Sequence, residues 1–368
     1  PVIFWLHGGA FLSGGGSIDW YDGTTLCREG DVVVVSPNYR LGALGFLYEP
    51  GLSPGNLGLG DAELALSWVV DHIARFGGDA DRITVMGQSA GGWLACLLAA
   101  RMPADRPSIH QLILHSAPLG ITPAAPAVGQ ATAQAFLDHL GTGCALADQQ
   151  ALARSADVSA LLSAQDAAMR STGLRFTRPG FPAVPFGPIA DAQTCPVGSS
   201  YAAHLARAAS RVPVLIGWTR DEMNAFTGAT PGARDADLAQ SVASEAFSAP
   251  ALAWAGNTHR AGKAAYVFAF DWAPAGNPIG ACHCIDLPLL FGNFAAFADA
   301  SMLAGADRQQ MCDLSRRMRA AWLAFVVHGD PNAAAGTGLP HWDRFTPDNP
   351  TVLHLASIPV ADHATPAI

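Results

Sequence analysis

Between Ile83 and Arg101 the chain runs through a β-branched apolar stretch, a tight turn and a helical stretch. The order is Ile83-Thr84-Val85-Met86, then Gly87-Gln88-Ser89-Ala90-Gly91-Gly92, then Trp93–Arg101. A strand that reverses into a helix over so few residues places the central serine on a sharp elbow. Small residues on either side of it let the backbone turn without a Cβ collision. The helix that follows points its first unpaired amides toward the serine, where negative charge can be stabilised. In a chain with 38 glycines, G-x-S-x-G can arise by chance. The strand before it and the helix after it make the motif informative, because without them the serine has no reason to be presented.

This strand–turn–helix unit has company. Short apolar runs at Val2–Leu6, Val32–Ser36, Ile83–Met86, Leu112–His115, Val212–Ile216 and Ala265–Phe270 read as strands. Several are apolar almost without interruption, as strands covered on both faces are. Longer stretches lie between them. Asp61–Arg75 carries Leu64, Leu66, Trp68, Val69 and Ile73 at helical spacing, and Met311–Val327 does the same with Leu314, Met318, Ala321, Trp322 and Phe325. The pattern predicts an α/β fold, a mostly parallel central sheet with helices on both faces, over residues 1–368 as a single domain. From Gly120 to Ala209 the chain is rich in Ala, Ser and Pro without a strong strand, so residues 120–209 read as a helical insertion capping the sheet.

A hydrophobic content of 50% against 14% charged residues fits a large buried core and not a disordered chain. The excess of acidic residues, 30 against 21 basic, and the lack of a Lys/Arg run argue against a nucleic-acid partner. No apolar stretch reaches the ~18 residues of a membrane span. Pro1–Leu6 runs straight into a glycine turn and so reads as a buried strand, not as a signal peptide. Seven cysteines form no C-x-x-C pair, so no disulfide framework is required. Cys282-His283-Cys284 has neither metal-ligand spacing nor a second Cys/His cluster to complete a site, and packing beside a loop is the better reading for those thiols.

A second turn has chemical meaning. Val2–Leu6 ends in His7-Gly8-Gly9-Ala10-Phe11, and a glycine turn at a strand end can aim free amides at a substrate oxygen. With these pieces in place the chain resembles the type-B carboxylesterases, the cholinesterase-like and para-nitrobenzyl-esterase-like family of α/β-hydrolases. The matching stretches are His7–Phe11, Ser36–Gly42, Gly55–Asp61, Ile73–Asp79, Gly87–Gly92 and Leu215–Gly217 with Arg220–Glu222. They continue with His283, Asp286–Pro288 and Phe291-Gly292, and end with Trp322, Phe325 and Gly329–Asn332. They keep the family order over nearly the whole chain. The match begins late, since family members carry a further N-terminal segment, and with no initiator Met the chain is expected to start partway through a gene product.

The resemblance implies a serine esterase acting on a small-molecule ester, with no cofactor and no metal. It implies Ser89 as nucleophile, His283 as base and Glu222 as the acid that orients it, in the chain order of this fold. Asp221 is the competing acid, and Met223 stands where the family has glycine. Amides of Gly9, Ala10 and Ala90 are the implied oxyanion hole. Gln88 replaces the glutamate that commonly precedes the serine, which weakens a choline-ester reading and favours neutral esters. Two alternatives stay open at this point: a catalytically silent cholinesterase-like interaction protein, and a lipase with its lid in the 120–209 insertion.

Overall fold

Along Val2–Leu6 (β1), Val2, Phe4 and Leu6 pack into one hydrophobic cluster while Ile3 and Trp5 pack into another, and all five are buried. The same alternation divides Leu112 and Leu114 from Ile113, and Val267 and Ala269 from Tyr266, Phe268 and Phe270. Successive side chains of a strand point to opposite faces, so a sheet packed on both sides needs apolar residues at every position. That is the origin of the continuous apolar runs.

The computed structural model describes residues 1–103, 108–171, 184–191, 199–227, 235–333 and 336–363. Its sheet contains β1, Val33–Val35 (β2), Ile83–Gln88 (β3), Gln111–His115 (β4), Val214–Thr219 (β5), Ala265–Phe270 (β6), Thr351–Leu355 (β7) and Val360–His363 (β8). The spatial order is β8-β7-β6-β5-β4-β3-β1-β2. Every neighbouring pair is parallel except β7 with β8. All six expected strands are present with ends shifted by a few residues. β7 and β8 are additions. The β8 residues are all exposed, so no apolar pattern announced them, and only their pairing with β7 makes them a strand.

One face of the sheet carries the helices Leu57–His72, Ala90–Arg101 and Ala249–Arg260, the other Arg308–His328 and Leu287–Phe291. Arg308–His328 starts where the Asp307 carboxylate accepts from the Gln310 amide at 3.0 Å, and stops at Gly329 with φ 72°. Of segment 120–209, the described part forms the helices Pro126–Leu140, Leu146–Ser155, Val158–Ser171 and Ser199–Ala209. Residues 172–183 and 192–198 of that segment, Cys195 among them, lie outside the described residues. The Asn56 side chain ties this segment to the body through both polar groups of Ile189, each at 2.8 Å. Gln165 does so by accepting the Ala43 amide at 2.8 Å.

β7 is also fastened to the chain after β6. His354 Nδ1 lies 2.6 Å from Asp271 Oδ2, and this hydrogen bond, followed by the carboxylate's charge, raises the imidazole above its ordinary pKa. A group raised in the folded state stabilises it fully below its unfolded pKa of about 6.5, and the contribution fades as pH climbs through the folded value. His354→Gln is therefore expected to lower the melting temperature more at about pH 5.5 than at about pH 9. Equal losses at the two pH values in thermal denaturation would show that the pair contributes no pH-dependent stability.

Candidate active site

β3 delivers Ser89 to the carboxyl edge of the sheet with φ 55° and ψ −125°, at the N-terminus of Ala90–Arg101. The elbow is locked by close approach. A Cβ on Gly87 would meet the Gly91 carbonyl oxygen at 2.4 Å, and one on Gly91 would meet the Leu6 and His7 carbonyl oxygens at 2.0 and 2.4 Å. The Ser89 amide donates to the His115 carbonyl at 2.9 Å, tying the elbow to the end of β4.

The turn after β1 lies beside it. Gly9, Ala10 and Phe11 all have positive φ, at 115°, 53° and 60°. Non-glycine residues adopt that region only where the surroundings enforce it. Here the Leu12 and Ser13 amides fold back onto the Gly9 carbonyl at 2.9 and 3.0 Å. Among the described residues, no protein acceptor takes the amides of Gly9, Ala10 or Ala90. Behind the turn, Tyr39 stacks on His7 at 4.4 Å and donates its hydroxyl to the His7 carbonyl at 2.6 Å. Burial pushes the His7 imidazole pKa down, so its ring stays neutral and serves as packing.

His283 arrives from the loop before Leu287–Phe291. Its Nδ1 lies 2.5 Å from Glu222 Oε2, and Glu222 is fully buried with its other oxygen accepting the Thr219 amide at 2.9 Å. Asp221, next in the chain, turns away: its carboxylate pairs with Arg220 at 2.7 Å and accepts the Ala281 amide at 2.8 Å. With Nδ1 committed as donor to Glu222, Nε2 is the acceptor, and the Gln88 amide nitrogen lies 3.1 Å from it. The same amide lies 3.2 Å from Cys284 Sγ. Burial pushes the Cys282 thiol up to about 12 and the Cys284 thiol well up, which keeps both protonated and poor nucleophiles near neutrality. Phe226 and Phe247 flank the His283 ring at 5.1 and 5.5 Å, Phe247 from the π-helical turn Ser244–Ser248.

Ser89, His283, Gly9, Ala10 and Ala90 all line one cavity of about 370 Å³, whose walls include Phe11, Trp93, Ile121, Val184, Phe226 and Phe247. Among the described residues, no carboxylate, ammonium or guanidinium group lines it.

Comparison with known proteins places the chain in a family. The carboxylesterase family model matches residues 1–237 and 227–366. The chain is 38% identical over 343 residues to the probable N-octanoylanthranilate hydrolase of Rhodococcus erythropolis, covering 89% of this chain and 72% of that protein. It is 33% identical over 370 residues to the para-nitrobenzyl esterase of Bacillus subtilis, covering 91% and 72%. The chain belongs to the carboxylesterase family. Among solved structures, a thermophilic PNB esterase superposes with a TM-score of 0.81 at 28% identity, covering 98% of this chain and 78% of that one. This carboxylesterase is therefore an α/β-hydrolase and a carboxylic-ester hydrolase, and the readings as a silent interaction protein or a lidded lipase are set aside.

Of the residues singled out in the sequence of this carboxylesterase, Ser89, His283, Gly9, Ala10 and Ala90 line the cavity, while Glu222 and Gln88 contact the His283 ring. What the sequence did not reveal is a second buried histidine–carboxylate pair beneath the elbow. His115 Nδ1 lies 2.6 Å from Asp286 Oδ2, and the Trp322 indole N–H donates to His115 Nε2 at 2.8 Å. The sequence hints were a histidine closing the apolar run Leu112-Ile113-Leu114 and the family match of Asp286 and Trp322, neither of which pairs them with His115.

Proposed function

We propose that Ser89, His283 and Glu222 form the catalytic triad of this esterase and that its substrates are neutral esters with an apolar, short-to-medium acyl group. The observation that carries the reading is His283, held by buried Glu222 on one side and opening on the other into a cavity that also contains Ser89 and whose described lining carries no charged side chain. Ser89 Oγ attacks the ester carbonyl carbon as its proton passes to His283 Nε2. Glu222 holds the proton on Nδ1 and stabilises the imidazolium that forms. The oxyanion accepts hydrogen bonds from the free amides of Gly9, Ala10 and Ala90, donors each worth about 3 kcal/mol in comparable hydrolases. The alcohol oxygen departs with the proton from Nε2. Water, deprotonated by the same nitrogen, then releases the acid from the acyl-serine. Because the Gln88 amide occupies Nε2 in the resting arrangement, that contact opens before Ser89 engages the ring.

The cavity volume fits a small ligand, and its aromatic and aliphatic walls suit a hydrocarbon acyl or aryl group. The Rhodococcus relative is named for an octanoyl compound, which agrees with acyl groups of that kind. Gln88 supplies a hydrogen-bonding amide with no charge, so this position does not favour a cationic leaving group. An uncharged thioester is accordingly expected to have a higher kcat/KM than butyrylthiocholine. Gln88→Glu should move that ratio toward the cation by a factor of about 10 at most, as a charge acting through partly screened solvent would. A clear wild-type preference for the cation would refute the neutral-ester reading.

A further inference from the structure

We infer that His115 is a positioning residue for His283, acting through Asp286; the inference rests on His283 being the catalytic base. Two halves of the site meet at this one residue. Its backbone carbonyl accepts the Ser89 amide at 2.9 Å, and its side chain holds the segment that follows His283. Asp286 lies three positions after His283 in the sequence and caps Leu287–Phe291, with its own carbonyl accepting the Leu290 amide at 2.9 Å.

The hydrogen bonds fix the tautomer. An indole N–H can only donate, so the Trp322 contact makes Nε2 of His115 an acceptor and puts the ring proton on Nδ1. That proton is donated to Asp286 Oδ2, and both side chains are essentially inaccessible, at 0% and 1% exposure. Asp286 Oδ1 has no partner among the described residues, so the His115 bond is the one side-chain anchor of this carboxylate. Between His283 and Asp286 sits Cys284 at φ 76°, a left-handed non-glycine residue. Such a conformation persists only where its surroundings over-determine it. On the amino-terminal side the loop is fixed by the Asp221 carboxylate on the Ala281 amide, and on the carboxyl-terminal side by Asp286 on His115. Without His115 the second anchor is gone, and the ring of His283 loses its register with Ser89.

The test compares His115→Leu, His115→Gln and His115→Asn. The asparagine amide nitrogen overlays the Nδ1 position and can still donate to Asp286. The glutamine amide reaches the Nε2 position instead. Each variant is titrated with a fluorogenic organophosphonate, so that rates are expressed per reactive Ser89; failure of the wild type to label at Ser89 would defeat the triad reading itself. Per titrated site, kcat should fall about 100-fold in the Leu and Gln variants with KM changed by less than about 3-fold, as expected for a misplaced base. His115→Asn should recover most of the loss. A folded Gln variant with wild-type kcat, or an Asn variant no better than Leu, overturns the proposal. If these variants do not fold, the intact protein still decides. Proton NMR should show a low-field imidazole N–H resonance that survives in the Glu222→Gln/His354→Gln double variant, which leaves the His115 pair intact; loss of every such resonance in that variant overturns it.

Discussion

Ser89→Ala is expected to lower kcat by about 10⁶-fold, and His283→Ala by a similar factor, with the double variant hardly worse than either alone. Members of such a unit do not contribute independently, because the nucleophile is useless without its base and the base has no other proton to take. Residual turnover would come from the amides around the oxyanion and from binding alone. Neither substitution should unfold the protein. The Ser89 backbone is held through its amide on His115 and through the glycines beside it, and its hydroxyl contributes nothing to that. Steady-state hydrolysis of a p-nitrophenyl ester, with melting followed by circular dichroism, checks both halves. Near-wild-type hydrolysis by a purified Ser89→Ala variant would end the assignment.

Gly91→Ala is the second large effect, and it acts on the fold. The added methyl would lie 2.0 Å from the Leu6 carbonyl oxygen and 2.4 Å from that of His7. Both are backbone atoms at the end of β1, where the chain turns into the Gly9–Phe11 loop. No side chain can swing aside to make room. Either Ala90–Arg101 lifts from the sheet, or β1 shifts and takes the candidate oxyanion loop with it. Destabilisation of about 4 kcal/mol or more is expected, in the range reserved for a severe packing conflict. Gly60→Ala provides the internal contrast. Gly60 is exposed within Leu57–His72, and a Cβ there meets nothing within 4 Å. A glycine in a helix interior gives up backbone entropy relative to alanine, so this change should stabilise by about 0.5–1 kcal/mol. Urea denaturation of both variants measures the difference, and a Gly91→Ala protein as stable as wild type would mean that the elbow packs more loosely than its geometry requires.

The Ser89 elbow and the Gly9–Phe11 turn were legible in the sequence because both are local devices. Each announces itself by a strand end with glycines at fixed positions close by in the sequence. The six central strands were legible for a related reason: burial on both faces demands apolar residues at every position of β1 and its neighbours, and that leaves a mark no loop shares. β8 left no such mark, since all its residues face solvent and only the register with β7 defines it.

Between the adjacent carboxylates, only the family resemblance favoured Glu222 in the sequence, since Asp221 differs by one position and chain order favours neither. The physical reason for the difference lies in what surrounds them: Arg220 and the Ala281 amide engage Asp221, while β5 ends so that the Thr219 amide and His283 both converge on Glu222. His115 lay deeper still. Its partners Asp286 and Trp322 stand 171 and 207 positions further along the chain. A side-chain hydrogen bond across such a separation imposes no periodicity and no turn signature on the residues around it. The sequence by itself determined the two-faced sheet, the elbow and the turn beside it, because those depend on backbone sterics and local burial. The pairing of buried polar side chains was decided only when the folded chain brought distant strands and helices together in a space without water, where each polar group needs a partner.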